Sequence, residues 1–274
     1  MKRRNKMFLF GWVMICGFLL SCKHAHGGDG DQKEPNNSGI TGQKQPVDKF
    51  AWKPLVYDST KQYIYLSFDD GPQHGTVDCY NLIKQEGIKA SFFMVGLHAA
   101  QKTDGKKIVD MIRESYPQVL LANHSYAHAN DKYLFFYHHP LMAEEDFYKA
   151  QDSLHVPYKI ARLPGNSAWA ENGSVKATNL VRPVTQLLDS AGYDVIGWDV
   201  EWNFSHKDAR PVQSPRKLAA QVDSAFAKNH THIPNHLVIL THDRMFQRPG
   251  DADSLAKFIG ILKQNRRYVV ETVD

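Results

Sequence analysis

With 274 residues, 42% of them hydrophobic and 23% charged, the chain has the length and apolar content of one large folded domain or two small ones. Its formal charge of +4 comes from four basic residues before position 7, Lys2, Arg3, Arg4 and Lys6; beyond residue 21 there are 29 basic and 29 acidic residues, which removes any electrostatic case for nucleic acid binding. Three cysteines, Cys16, Cys22 and Cys79, are too few for a disulfide-built scaffold.

The basic start is followed by an apolar run, residues 7–20, that is too short to span a bilayer comfortably and ends in Leu19-Leu20-Ser21-Cys22. This ending resembles the lipobox of bacterial lipoproteins. The resemblance implies removal of residues 1–21, lipidation of Cys22, and an exported protein lipid-anchored to a cell-envelope membrane. An ordinary secretory signal and an uncleaved anchor are the alternatives. Cys79 would then be the one thiol left. Residues 22–50 are rich in Gly, Asn, Gln, Lys and Asp with almost no apolar side chains, and predict a flexible tether. The folded domain is assigned to 51–274.

Within it, strand-like and helix-like segments alternate. Strands are predicted over 63–70, 89–95, 119–124, 158–163, 193–200, 236–241 and 268–273. Helices are predicted over 76–87, ending on Gly87, then 106–115, 142–154, 175–191, 216–229 and 254–264. Pro183 must break, kink or restart the fourth of these. Seven βα repeats argue for an α/β fold with a parallel sheet closed, or nearly closed, into a barrel; an open doubly wound sheet is the alternative. No glycine-rich phosphate fingerprint follows any strand, so no nucleotide site is expected. Parallel βα folds place their sites at the C-terminal ends of the strands, where the polar residues of interest fall.

The first strand, Tyr-Ile-Tyr-Leu-Ser-Phe, ends in Asp69-Asp70-Gly71-Pro72. Side chains alternate faces along a strand, so two adjacent carboxylates cannot do the same job if the strand persists to its tip. After the third strand comes His124-Ser125-Tyr126-Ala127-His128. Histidines four apart share a face if this segment is a helical turn, and both imidazoles can then reach one metal ion, with a carboxylate as third ligand. Neutral imidazole suits Zn2+. A chain with 14 histidines also produces such pairs by chance, and His138-His139 is taken as one.

Phe68-Asp69-Asp70-Gly71-Pro72, Gly87-Ile88-Lys89-Ala90-Ser91-Phe92-Phe93, the His124–His128 segment, Arg162-Leu163-Pro164-Gly165 and Ile239-Leu240-Thr241-His242-Asp243 together resemble, in order, the motifs of the polysaccharide deacetylases of the NodB-homology type, carbohydrate esterase family four. The resemblance implies a deformed (β/α) barrel, here of about seven parallel strands, and metal-dependent hydrolysis of N- or O-acetyl groups on sugars. It implies Asp70, His124 and His128 as metal ligands, with Zn2+ or another divalent transition metal, and Asp69 as general base. Arg162 would pair with Asp69, holding its pKa low and fixing its orientation. His242 would protonate the leaving group, which needs a carboxylate neighbour to raise its pKa. Leu240 would line the pocket for the acetyl methyl. A backbone N–H at Gly165 would stabilise the oxyanion. The family often has an aromatic residue there, and Asn166 or Trp169 is the candidate to compensate.

The fourth motif departs from the family. The usual tryptophan, two aspartates and second tryptophan are here Trp198-Asp199-Val200-Glu201-Trp202. Alternation puts Asp199 and Glu201 on one face, and Asp199 is preferred as the acid that orients His242. Trp198 and Trp202 would flank the acetyl pocket or stack on a sugar, with core packing as the alternative. His74 is expected to be a solvated loop residue, Cys79 to be buried, and the aromatic run 133–137 to pack over the barrel mouth. The expected partner is an acetylated polysaccharide such as peptidoglycan or a chitin-like glycan. A non-catalytic carbohydrate-binding lipoprotein on the same fold, or a metal hydrolase of another C–N bond, are the alternatives.

Overall fold

The computed structural model describes residues 56–274. The predicted leader, Cys22 and the tether lie outside the described residues, as do positions 51–55. Among the described residues no helix is long and apolar enough to cross a membrane.

The chain alternates as predicted for most of its length. Strand β1 (Gln62–Gly71) leads to α1 (Thr76–Glu86), which stops at Gly87, whose φ of 64° is the left-handed conformation a helix end favours in glycine. Then follow β2 (Ala90–Met94), α2 (Gly96–Gln101), α3 (Gly105–Arg113), β3 (Val119–Asn123), α4 (Tyr133–His138), α5 (Pro140–Leu154) and β4 (Ile160–Ala161). A hairpin, β5 (Trp169–Glu171) and β6 (Ser174–Lys176), precedes α6 (Arg182–Ser190). The chain closes with β7 (Asp194–Val195), β8 (Val200–Glu201), α7 (Pro215–Ala227), β9 (His236–His242), α8 (Pro249–Gln264) and β10 (Tyr268–Val270).

Three expectations are corrected. The helix predicted over 175–191 starts only at Arg182, because Pro183 sits in its first turn, where its missing N–H costs nothing; residues 169–176 form the antiparallel hairpin instead. The strand predicted over 193–200 is two short ones. The connection to α5 carries the short helix α4, which the polar and aromatic run there concealed.

The sheet runs in the order β6-β5-β7-β4-β3-β2-β1-β9-β8, with β10 alongside the start of β1, and every strand pairing except β5 with β6 and β5 with β7 is parallel. Ile64, Leu66 and Phe68 point outward against α1, α7 and α8 in the largest apolar cluster, whereas Ser67 and Asp69 point into the curl of the sheet. Both flanks of that curl are reached by one passage of chain. It pairs with β4 through β7, then crosses Ile196–Asp199, then pairs with β9 through β8. No strand ladder spans the crossing, so its carbonyls need other donors.

Candidate active site

Arg162, just past β4, supplies those donors. Its side chain is fully buried; Nε donates to the Ile196 carbonyl at 3.0 Å and Nη2 to the Gly197 carbonyl at 3.0 Å. Nη1 donates to Ser67 Oγ at 2.7 Å and to Asp69 Oδ1 at 2.8 Å, and the guanidinium carbon lies 4.0 Å from the centroid of the Phe93 ring. Burial lowers the Arg162 pKa, and the Asp69 charge opposes that shift. Asp69 is thus held on one oxygen, and its Oδ2 faces His124 Nε2 at 3.5 Å.

Strand alternation does not persist from Asp69 to Asp70. Asp70 has φ of 74°, and the register of β1 against β2 slips between Asp69 and Gly71. This bulge turns both carboxylates toward the same cavity. The unusual conformation is held from outside: the Asp70 carbonyl accepts from Gln73 Nε2 at 3.0 Å and pairs with His98 Nδ1 at 2.7 Å. The two acids still have different partners. Asp70 Oδ1 lies 3.0 Å from His128 Nε2 and 3.5 Å from His124 Nε2, and Asp70 Oδ2 lies 3.9 Å from His242 Nε2. Burial works against the Asp70 carboxylate, but the His124 and His128 imidazoles facing it overcome this and hold its pKa well below the usual range.

The two histidines do not share a helical turn. His124 directly follows β3 and His128 opens a 3-10 turn (His128–Asp131); between them Ser125 has φ of 65°, and His128 itself has φ of 50°. Side chains shape this loop. Asn123 Oδ1 accepts from Ser125 N at 2.9 Å, Ser125 Oγ from His128 N at 3.1 Å, and Asp146 Oδ2 from the N–H groups of Tyr126 and Ala127 at 2.8 and 3.0 Å. The ring centroids end 5.1 Å apart. His124 Nδ1 meets the Arg162 carbonyl at 2.9 Å, which leaves Nε2 turned to the cavity. Burial disfavours protonated His124, and the charges of Asp69 and Asp70 outweigh it, raising its pKa.

One ligand atom from each of Asp70, His124 and His128 lies within 4.8 Å of the others. Asp70 Oδ1 is buried without a hydrogen-bond partner despite facing two imidazole nitrogens. A carboxylate oxygen left without a partner opposite two imidazole nitrogens is a donor set that divalent transition metals take. These residues fit a metal such as Zn2+.

The cavity above them has a volume of about 620 Å3 and is lined by Asp69, Gly165, Trp198, Leu240 and His242 among others. Asn166 and Trp169 are not in its wall: Asn166 Nδ2 bonds the Pro164 carbonyl at 3.4 Å, and Trp169 stacks on His232 with centroids 4.2 Å apart. The side chain over Gly165 is that of Tyr133. Trp202 is not in the wall either. It is fully buried, donates Nε1 to the Gln213 carbonyl at 2.9 Å and packs on Phe246 and Phe258, so its assignment to substrate binding is corrected to core packing.

Asp199 does not reach His242. Its Oδ1 accepts from His232 N at 2.6 Å and its Oδ2 from Val238 N at 2.8 Å, and it faces a separate cavity of about 590 Å3 lined by Tyr57, Tyr65, Trp169 and His236. The break between β7 and β8 cancels the alternation that would have put it beside Glu201, and Glu201 alone lines the site. His242 Nδ1 is buried with no partner. Burial lowers the His242 pKa, more than Asp70 and Asp69 raise it, contrary to the expected upward shift.

His98, Asp131, Phe204, His206 and Arg244 also line the cavity, and sequence reasoning missed them. Only His98 carried a signal, since it follows the second strand at its C-terminal end. His74 is exposed and outside this wall, and His138 and His139 are exposed.

Comparison with known proteins adds to this geometry. Residues 57–164 match the family described as Polysaccharide deacetylase. The chain is similar to a chitin disaccharide deacetylase of Vibrio alginolyticus, 25% identical over an alignment covering 78% of this chain and 71% of that one. Among solved structures it resembles a family 4 carbohydrate esterase from Streptomyces lividans in complex with acetate, with a TM-score of 0.55, 21% identity, and 78% and 93% of the two chains covered. The fold is that of the family 4 carbohydrate esterases. A mutant of a family 4 pseudoenzyme shares it too, with a TM-score of 0.53, 19% identity, and 78% and 66% of the chains covered. The esterase fold by itself therefore does not decide activity, which depends on the residues of the site.

Proposed function

We propose that the protein is a metal-dependent deacetylase that hydrolyses acetyl groups from an acetylated polysaccharide. The observation that carries this reading is that one cavity receives both the buried Asp69–Arg162 pair and the Asp70, His124 and His128 group. A protein that only bound glycan would have no need of a buried, arginine-held carboxylate beside a metal-ligand set. The match of residues 57–164 to the deacetylase family and the likeness to the chitin disaccharide deacetylase support the substrate class.

A cation held by Asp70, His124 and His128 would supply Lewis acidity toward the acetyl carbonyl and toward water. The other residues supply the proton chemistry. Asp69 Oδ2, left free by the Arg162 bond to Oδ1, takes the proton of the attacking water. The Gly165 N–H is the proposed donor to the oxyanion of the tetrahedral intermediate. His242, whose Nε2 faces Asp70 Oδ2, gives a proton to the departing amine or alkoxide. Leu240, which is buried, and Trp198 wall the space for the acetyl group. The proposed setting, an envelope membrane reached through lipidated Cys22, rests on the sequence of residues 1–22.

The test is acetate release from acetylated chito-oligosaccharide, peptidoglycan and acetylxylan, with and without added Zn2+. Turnover on at least one substrate that is lost with chelator and restored by metal is expected. No turnover on any of the three, together with glycan affinity unchanged by Asp69→Asn, would overturn the enzyme reading in favour of a binding protein. For the anchor, Cys22→Ser should move the protein from the membrane fraction to the soluble fraction.

A further inference from the structure

We infer that Tyr133 works in this site in two ways: its hydroxyl orients the imidazole of His128 as a positioning residue, and its ring forms the part of the cavity wall that Gly165 leaves open. The inference rests on Asp70, His124 and His128 being metal ligands.

The aromatic run Tyr-Leu-Phe-Phe-Tyr divides by helical period in α4. Phe136 and Tyr137 are buried, while Leu134 and Phe135 are 65% and 54% exposed. The Tyr137 hydroxyl donates to the Pro164 carbonyl at 2.6 Å, which fixes the helix on the Arg162–Gly165 segment. Tyr133, one turn earlier on the same face, is thereby set down over Gly165. A Cβ built on Gly165 would stand 3.1 Å from Tyr133 Cε1 and 3.4 Å from Cδ1, closer than the ring tolerates without moving. Gly165 also has φ of 65°, so the position suits glycine on two counts. The glycine and the tyrosine thus fit one another: the residue without a side chain makes room for a ring delivered from another element.

The same ring reaches a metal ligand. Tyr133 Oη lies 3.5 Å from His128 Nδ1, and the two rings meet edge to face with centroids 5.8 Å apart. With His128 Nε2, the nitrogen turned to Asp70 Oδ1, as the metal ligand, Nδ1 carries the proton and donates to the phenol oxygen. Ligating imidazoles ordinarily have such a partner on the nitrogen that does not touch the metal, and it fixes both tautomer and ring orientation. His124 has the Arg162 carbonyl in that place, a backbone group no side-chain change can remove. His128 has Tyr133, which can be removed.

Zn2+ affinity measured by competition with a fluorescent chelator tests the first role. Tyr133→Phe keeps the ring and removes the acceptor, and should weaken Zn2+ binding by about tenfold, at the lower end of the usual effect because the contact is long. Asp70→Ala, measured beside it, should lose Zn2+ binding. If Asp70→Ala loses the metal and Tyr133→Phe binds it like the unmodified protein, the positioning role is wrong. If Asp70→Ala keeps the metal, the ligand set itself is wrong. The wall is tested by Gly165→Ala in two backgrounds. It should lower kcat/KM several-fold more when Tyr133 is present than in Tyr133→Ala, where only the strain of the left-handed backbone remains, because contacting residues are not additive. Equal losses in both backgrounds would overturn the wall.

Discussion

Arg162 Nη1 donates to Asp69 Oδ1 at 2.8 Å while the other two nitrogens of the same guanidinium take the carbonyls of Ile196 and Gly197. The proposed base and the opening between β7 and β8 are therefore held by one side chain. Lysine could not replace it, because an ammonium cannot reproduce a planar fork with donors in three directions. Arg162→Lys and Arg162→Met should each destabilise the fold by about 3–5 kcal/mol, the range for leaving a buried charge without its partner. Urea unfolding reads this directly. A loss below about 1 kcal/mol would mean that the crossing is held by other contacts. Asp69→Asn should also destabilise the fold, because it leaves the buried Arg162 guanidinium without its counter-charge, although Ser67 and the Ile196 and Gly197 carbonyls still accept from it.

The two carboxylates at the end of β1 should separate on mutation. Asp69→Asn keeps every proposed ligand and should lower kcat by 10²–10⁴-fold, the usual contribution of a general base, with metal content unchanged by elemental analysis. Asp70→Ala should lose the metal. The division fails if Asp69→Asn also releases metal, or if Asp70→Ala retains it.

What could be seen in advance, and what could not, follows from how far each signal reaches along the chain. Six of the seven predicted strands were legible because apolar runs and breakers are local. Asp69, Asp70, His124, His128, Arg162 and His242 stood out because each falls at a strand end. The failures occur where regular geometry is interrupted. The bulge at Asp70 and the left-handed residues at Ser125 and His128 replace strand alternation and a helical turn with conformations held by Gln73, His98, Asn123 and Asp146. Asp199 was misplaced for the same reason: alternation carries no information across a strand that breaks at Ile196–Asp199. Tyr133 over Gly165 depends on how α4 docks, and no local pattern records that.

Asp199 and Glu201 make opposite predictions. Both oxygens of Asp199 accept backbone N–H groups, from His232 and Val238. Asp199→Ala should therefore cost about 1–3 kcal/mol for each group left unpaired, with kcat/KM per folded molecule unchanged. Glu201 faces the cavity, and its charge favours protonated His242. Glu201→Gln should lower kcat several-fold with little change in the urea midpoint. A large kcat loss in Asp199→Ala at full folding would restore Asp199 to the site.

Asp243 should make stability fall as pH rises from acid to neutral. It is fully buried behind the proposed site, its Oδ2 accepts from the Thr76 hydroxyl, and its Oδ1 has no partner. Burial pushes its pKa up from 3.8 to about 8; the Thr76 bond opposes this, and the Asp70 charge adds to it. The folded state thus keeps the proton through a range in which the unfolded chain has already lost it. The unfolded state binds fewer protons between about pH 4 and pH 8, so stability must fall as pH rises through that window and level off above it. At 1.36 kcal/mol per unit, the whole window is worth several kcal/mol. Asp243→Asn cannot ionise and removes this slope, while its amide oxygen can still accept from Thr76. In chelator, so that no bound cation alters the local field, urea midpoints from pH 5 to pH 9 should fall less steeply for Asp243→Asn, and the variant should be the more stable protein at pH 8. Parallel profiles for the two proteins would show that Asp243 is ionised in the folded state at neutral pH, and that burial does not govern its charge.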